Sequence, residues 1–183
     1  MSTQVSTERI GLSMQQCESM AVDLSNMVEA NCATTSHQYD TLFVLPRGGF
    51  MPANVVSRRL GFGALDIVSG SMTSYLLGNT NSQSLECGQM PPQNLIEGKH
   101  ILAIDEVSDT DETLEGVREF AYKLGALSVK TGVLVYKPGR NTSGVVPDFF
   151  VMKHNGWVDF YWEAHDEVGK TSIAKRREEA KIA

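Results

Sequence analysis

A chain of 183 residues with 42% hydrophobic residues and a formal net charge of −6 has the length of one domain, able to bury about two-thirds of its unfolded surface. The acidic balance argues against broad nucleic-acid binding and leaves room for a local basic pocket. Cys17, Cys32 and Cys87 are odd in number and form no CxxC pair, which suits reduced thiols in a cytoplasmic protein. Neither a signal pattern nor an apolar run of about 18 residues is present, so no membrane partner is expected.

Residues 1–10 are polar and expected to be loosely ordered. From Met14 to about Ala30, apolar residues recur at spacings of three and four (Met14, Cys17, Met20 and Ala21, Leu24, Met27 and Val28), which predicts an amphipathic helix. Its Met-rich face reads as packing. The run Asp40–Leu45 reads as a strand, followed by Pro-Arg-Gly-Gly-Phe and a helix over Met51–Leu60. Gly48 and Gly49 offer backbone bare of side chains, and Arg47 a fixed cation. A plain turn with a surface arginine is the alternative.

Ala64–Val68 reads as the next strand. Met72–Pro92 is polar, lacks strong periodicity and is expected to be a long loop, of the length that is usually functional or disordered. Ser74 and Tyr75 lie near its start.

Ile101–Leu114 carries the densest signal: four apolar residues, then Asp105 and Glu106, a Ser/Asp/Thr turn, and a helical pattern to about Leu124. A buried strand should end where charge begins, which places Asp105 and Glu106 at its tip. Asp109, Thr110, Asp111 and Glu112 offer N-cap and first-turn chemistry. Backbone N–H groups at such a strand-to-helix turn favour anions. The carboxylates suit sugar hydroxyls or Mg2+, and the hydroxyls of Thr110 and Thr113 suit a phosphate. An ordinary acidic turn is the competing reading.

Ser128–Tyr136 reads as a strand ending in Lys137-Pro-Gly-Arg140, where Lys137 is placed to donate to a carbonyl of a bound base. Arg140 has no assigned role. A last short strand over Phe149–Met152 precedes Asn155–Glu163, rich in aromatics. Trp157 is the ring to stack on a base, with core packing as the alternative, Val158 offers backbone groups to its edge, and Asp159 can read a substituent. Trp162 reads as core. His154 and His165 lack partners at ligand spacing. The tail from Lys170 balances its basic run with Glu178 and Glu179 and reads as a solvated face. Strands alternating with helices from Asp40 to Tyr136 indicate βαβ units and a parallel sheet, with the three loops on one edge.

The Ile101–Leu114 stretch resembles the PRPP motif of the type I phosphoribosyltransferases: four apolar residues, two acids, two mostly apolar residues, then Asp-Thr-Gly-x-Thr. The Pro-Arg-Gly-Gly segment is similar to the pyrophosphate loop of the xanthine-guanine and related 6-oxopurine enzymes. The resemblance spans about residues 40–163. It implies an α/β type I phosphoribosyltransferase fold, with a central parallel sheet flanked by helices. One domain would fill 1–183, with a core over about 40–152 and a small hood from the N-terminal segment and about 153–170.

By the same resemblance, Arg47 and Gly48 would hold pyrophosphate, and Asp105 and Glu106 the ribose hydroxyls, with Glu106 supporting Mg2+. Thr110, Asp111, Glu112 and Thr113 would form the 5'-phosphate loop. Asp109 would sit beside the purine imidazole ring as the catalytic acid-base group. Ser74 and Tyr75 would belong to a lid, and Lys137, Trp157, Val158 and Asp159 to the base site. One departure stands out: the family's usual glycine is Asp111 here. A carboxylate facing the phosphate would weaken its binding, and Asp111→Gly would then tighten it; directed to solvent, it would be screened.

The implied reaction is purine salvage: a 6-oxopurine (guanine, xanthine or hypoxanthine) and Mg2+-PRPP give the nucleoside 5'-monophosphate and pyrophosphate. The resemblance also implies a homodimer or homotetramer. The alternative is a catalytically weak module of the same fold that senses PRPP or nucleotides and regulates a partner.

Overall fold

The computed structural model describes residues 5–35, 38–76 and 83–165, with the backbone alone at 73–76 and 83–87. The expected tail from Lys170 and hood residues 166–170 lie outside them.

Five parallel strands form the central sheet in the order β3-β2-β6-β7-β8: β2 (Thr41–Val44), β3 (Ile67–Ser69), β6 (His100–Ser108), β7 (Ser128–Tyr136) and β8 (Phe149–Lys153). Side chains alternate across it, as a period of two requires. Leu42, Val44, Leu102, Ile104 and Leu134 meet one hydrophobic cluster with α1 (Met14–Thr35) and α2 (Phe50–Leu60). Phe43, Leu45, Ile101, Ala103 and Val133 enter a second cluster with α3 (Glu112–Lys123). Burial on both faces explains why these strands read as continuous apolar runs. In α1 the buried residues are Cys17, Ala21, Leu24, Ser25 and Val28, so the helical spacing holds, while Met14 and Met27 of the Met-rich face stay exposed.

Four local expectations are corrected. Ala64–Asp66 forms a 3-10 turn, and only Ile67–Ser69 pairs as a strand, because Leu65 lies exposed outside the sheet. The stretch expected as an irregular loop contains antiparallel strands β4 (Met72–Leu76) and β5 (Gln83–Cys87), which satisfy their backbone groups without apolar alternation. Ser74 and Tyr75 lie in β4, opposite Leu85 and Ser84.

The β6 strand does not stop at its acids: it runs to Ser108, because pairing of Val107 with Val135 and Ser108 with Tyr136 carries it past them. Of the N-terminal stretch expected to be loose, residues 1–4 lie outside the described residues and 6–10 are tied down. Its β1 (Ile10–Leu12) pairs in parallel with β9 (Val158–Phe160), and the carbonyls of Ser6 and Glu8 accept from Asn155 N and His154 Nε2 at 2.8 and 2.7 Å. Among the described residues no helix is long and apolar enough to cross a membrane.

Candidate active site

Three connections converge at the C-terminal edge of the sheet, where α/β folds bind ligands. The first is the turn between β2 and α2. Its Pro46–Arg47 peptide is cis. Of the two glycines that follow, Gly49 is sterically required, while Gly48 meets a side chain that would have to move. A Cβ on Gly48 would fall on the Glu106 carboxylate, and one on Gly49 on the carbonyl oxygens of Leu45 and Ile104. Gly49 is the N-cap of α2 and offers no side-chain cap. Arg47 is exposed at the mouth of this turn.

The second connection runs from β6 into α3. Asp105 and Glu106 stand side by side, and Asp105 Oδ1 accepts from Glu106 N at 2.8 Å. Burial, and then the neighbouring Glu106 charge, hold the Asp105 carboxyl well above the usual carboxylate range. Glu106 Oε2 is buried without a hydrogen-bond partner. Two adjacent acids, one of them with an orphaned oxygen, suit hydroxyl groups or a hard cation. No cluster of three or more metal-ligating side chains exists among the described residues. Such a cation would therefore take most of its oxygens from substrate and water, the usual pattern for Mg2+.

Asp111 is the N-cap of α3 and has φ 66° and ψ −3°. It is the one described non-glycine residue in the left-handed region, so the backbone adopts the conformation a glycine would favour there. An N-cap side chain normally reaches back from extended backbone to the first-turn amides. From the left-handed region it does not, and Asp111 makes no cap hydrogen bond. Asp111 thus holds the expected N-cap position without a side-chain cap bond, and of the two orientations left open the solvent-facing one is not adopted. Asp111 is 3% exposed, and neither carboxylate oxygen has a hydrogen-bond partner. Burial first, and Asp109 second, push its carboxyl up to about 6. Asp105, Asp109, Thr110, Asp111 and Thr113 line one cavity of about 230 Å³. Glu112 opens α3 beside it.

The third connection follows β7. Lys137 is 6% exposed, and its Nζ lies 3.3 Å from Asp109 Oδ2 and 5.7 Å from the centre of the Trp157 ring. Arg140 also donates to Asp109. Thr142 N and Oγ1 approach the Thr110 carbonyl at 3.4 and 3.3 Å, fastening this loop to the second connection. Trp157 is 61% exposed, leaving a ring face accessible, and its Nε1 donates to Asp159 Oδ1 at 2.9 Å. Asp159 also takes a two-pronged ion pair from Arg9 at 2.6 and 2.7 Å, which lowers its carboxyl pKa. Val158 is buried in β9, and the carbonyl of Trp157 is taken by Ile10 N.

The structure thus brings Asp109, Lys137 and Trp157 into one cluster beside the second connection and sets Gly48 against Glu106. Ser74 and Tyr75 lie on the separate β4–β5 ribbon, whose β4 packs near α3. Sequence reading left Arg140 unassigned and missed Arg9 and Thr142. Arg140 carries a local signal, since a turn three residues beyond Lys137 doubles back on it. Arg9 carries none, because its partner is 150 residues away.

A parallel sheet covered on both faces, with these three loops on one edge, defines the type I phosphoribosyltransferase fold. The phosphoribosyl transferase domain family matches residues 16–167, and the chain belongs to that family of glycosyltransferase enzymes. It is 26% identical over 131 residues to a xanthine-guanine phosphoribosyltransferase of Idiomarina loihiensis, covering 71% of this chain and 74% of the relative. It is 29% identical over 142 residues to a hypoxanthine phosphoribosyltransferase of Haemophilus influenzae, covering 72% and 76%. Among solved structures it is similar to a purine phosphoribosyltransferase of Pyrococcus horikoshii, with a TM-score of 0.69 and 27% identity over 85% of this chain and 94% of that one.

Proposed function

We propose that the protein is a purine-salvage phosphoribosyltransferase that joins a 6-oxopurine to the ribose 5-phosphate of PRPP and releases pyrophosphate. The observation that carries this reading is the buried Lys137 amine, set between Asp109 and the Trp157 ring. A donor, an acid and an exposed aromatic face are what a flat base with a carbonyl and a ring N–H requires.

In the reaction, a purine ring nitrogen forms a bond to C1' as the bond from C1' to the pyrophosphate oxygen breaks. Asp109 accepts the proton of the imidazole ring, which keeps the attacking nitrogen electron-rich. Lys137 leaves Asp109 to donate to the 6-oxo group, while Arg140 keeps Asp109 in place. Asp105 and Glu106 hold the ribose hydroxyls, and Thr110 to Thr113 the 5'-phosphate. Arg47 and the bare backbone of Gly48 and Gly49 hold the pyrophosphate as its charge develops. Glu106 would support Mg2+, which would supply further neutralisation of that charge.

Ser74 and Tyr75 belong to a lid that keeps water from the activated ribose. The hood is the β1–β9 unit beside Trp157, with Val158 and Asp159 on its base-facing edge. The working context is cytoplasmic, as free Cys17 and Cys32 allow, and the assembly a homodimer or homotetramer, to be read by sedimentation.

The test is product formation with Mg2+, PRPP and each of guanine, xanthine, hypoxanthine, adenine and uracil. Nucleotide from one or more 6-oxopurines is expected; adenine or uracil alone as substrate would overturn the Lys137 base site. Lys137→Ala should lower kcat/KM for the 6-oxopurine by about ten- to hundredfold, the worth of a hydrogen bond from a charged donor. PRPP binding should be retained, and equal loss of both would refute the assignment. The unpartnered Asp111 favours a second reading, a PRPP- or nucleotide-sensing regulator of the same fold. Binding without product would select it.

A further inference from the structure

We propose that Asp111 is a specificity-determining residue of the phosphate loop, entering the complex with a phosphate monoester as the neutral carboxylic acid, so that binding carries one proton from solvent onto the protein. This rests on the reading of Thr110–Thr113 as the 5'-phosphate site.

Three features of the cavity carry it. First, Asp111 is fixed: the left-handed backbone at the start of α3 turns its side chain inward, where both oxygens are buried without a donor. Ser108 Oγ, on the same cavity wall, is likewise buried without a partner. Second, the cavity has no cationic side chain in its lining; its acidic members are Asp105, Asp109 and Asp111. α3 adds only acids to its first turn, Glu112 and Glu115. The cations of the neighbouring loop, Lys137 and Arg140, are engaged by Asp109. Third, the cavity borders the N-terminal turn of a 12-residue helix that carries no side-chain cap, a setting that attracts anions.

An ionised Asp111 opposes that attraction, because a phosphate dianion would enter beside a carboxylate that nothing neutralises. Protonation reverses the sign of the contact. The O–H then donates to a phosphate oxygen in a charge-assisted hydrogen bond, and one of the orphaned oxygens gains a partner. No covalent bond changes; the phosphate stays dianionic and the proton comes from the buffer. Burial already holds the Asp111 carboxyl up at about 6 in the free protein, which keeps the proton within reach near neutrality. Above that range, affinity for a phosphate monoester falls by up to about tenfold per pH unit until the pKa of the complex is passed.

The probe is ribose 5-phosphate, which carries the phosphate and hydroxyls without base or pyrophosphate. Titration calorimetry of the full chain at about pH 8, where this phosphate is fully ionised, is run in two buffers of different ionisation enthalpy. The expected result is uptake of about half to one proton per ligand, with Kd tightening several-fold from about pH 8 to 7. Asp111→Asn and Asp111→Gly, two residues that tolerate the left-handed backbone, should show no uptake and a flat Kd over that range. Either variant that folds serves. Ribose 5-phosphate binding without proton uptake by the wild type, or uptake retained in the variants, would overturn the proposal and leave the phosphate-loop reading standing. Absence of binding by the wild type and both variants at every pH would instead bring down the phosphate-loop reading itself.

Discussion

Two aspartates beside α3 are both withdrawn from solvent and have opposite surroundings. Asp148, just before β8, accepts from Lys130 Nζ at 2.8 Å, Thr131 N at 2.8 Å, Thr131 Oγ1 at 3.2 Å and the Arg118 guanidinium. It ties the loop before β8 to β7 and α3, and its charge is answered within the chain. Asp111 accepts from nothing. Folding alone explains the first, because a half-buried carboxylate with four donors is stable architecture. Folding alone does not explain the second, since an unpartnered buried acid is a cost. A residue kept at such a cost points to a ligand that completes it. Glu106 is intermediate, with one orphaned oxygen set over the bare backbone of Gly48.

The contrast can be broken most forcefully at Asp148. Asp148→Ala leaves Arg118 and Lys130 without their acid and should lower unfolding stability by about 2–4 kcal/mol, below the ~3–5 kcal/mol of a fully buried pair because Lys130 is half exposed. Ribose 5-phosphate affinity of the folded protein should stay the same. Loss of less than about 1 kcal/mol in denaturant unfolding would show that the network is ornamental.

Asp111→Asn should act in the other direction. The folded carboxyl is raised from 3.8 to about 6, so the folded state binds this proton more tightly than the unfolded chain. Wild-type stability from this group is therefore intact below 3.8, falls as pH rises to about 6, and stays lost above. Asparagine does not titrate, and the variant should gain about 2–3 kcal/mol over wild type between about pH 4 and pH 8. Urea unfolding at those two pH values reads the difference; equal gains at both would remove the ionised carboxylate as its cause.

The smallest effect is expected at Gly48. Gly48→Ala should displace the Glu106 side chain and cost about 1 kcal/mol of stability. Affinity for Mg2+-PRPP should fall about tenfold, the equivalent of about 1.4 kcal/mol. Unchanged Mg2+-PRPP affinity would mean that Glu106 does not need that floor.

The sheet was readable because strands buried on both faces are written as uninterrupted apolar runs, as at Leu42–Leu45 and Leu102–Ile104. The Asp105–Thr113 segment was readable because its acids, hydroxyls and helix start are contiguous. Features set by tertiary pairing were not. Nothing local says that β6 continues through two carboxylates, since Val135 and Tyr136 of another strand hold it there. The β4–β5 ribbon lacks apolar alternation, and the grip of Ser6 and Glu8 on Asn155 and His154 joins segments with no shared sequence signal. The substitution at Asp111 was visible, but its inward direction was not, because that depends on a single backbone torsion.

The pairing of β1 with β9 also sets an order of events during protein synthesis. Arg9 must wait for Asp159, 150 residues later in the chain, which at ~5–20 residues per second is on the order of ten seconds on the ribosome. The sheet strands β2, β6 and β7 can assemble in that interval, whereas the wall around Trp157 cannot close until both its ends have emerged. The Trp157 surroundings are therefore among the last parts of the described core to be completed, and a nascent chain stalled before β9 would carry the Asp105–Thr113 turn with no wall beside it.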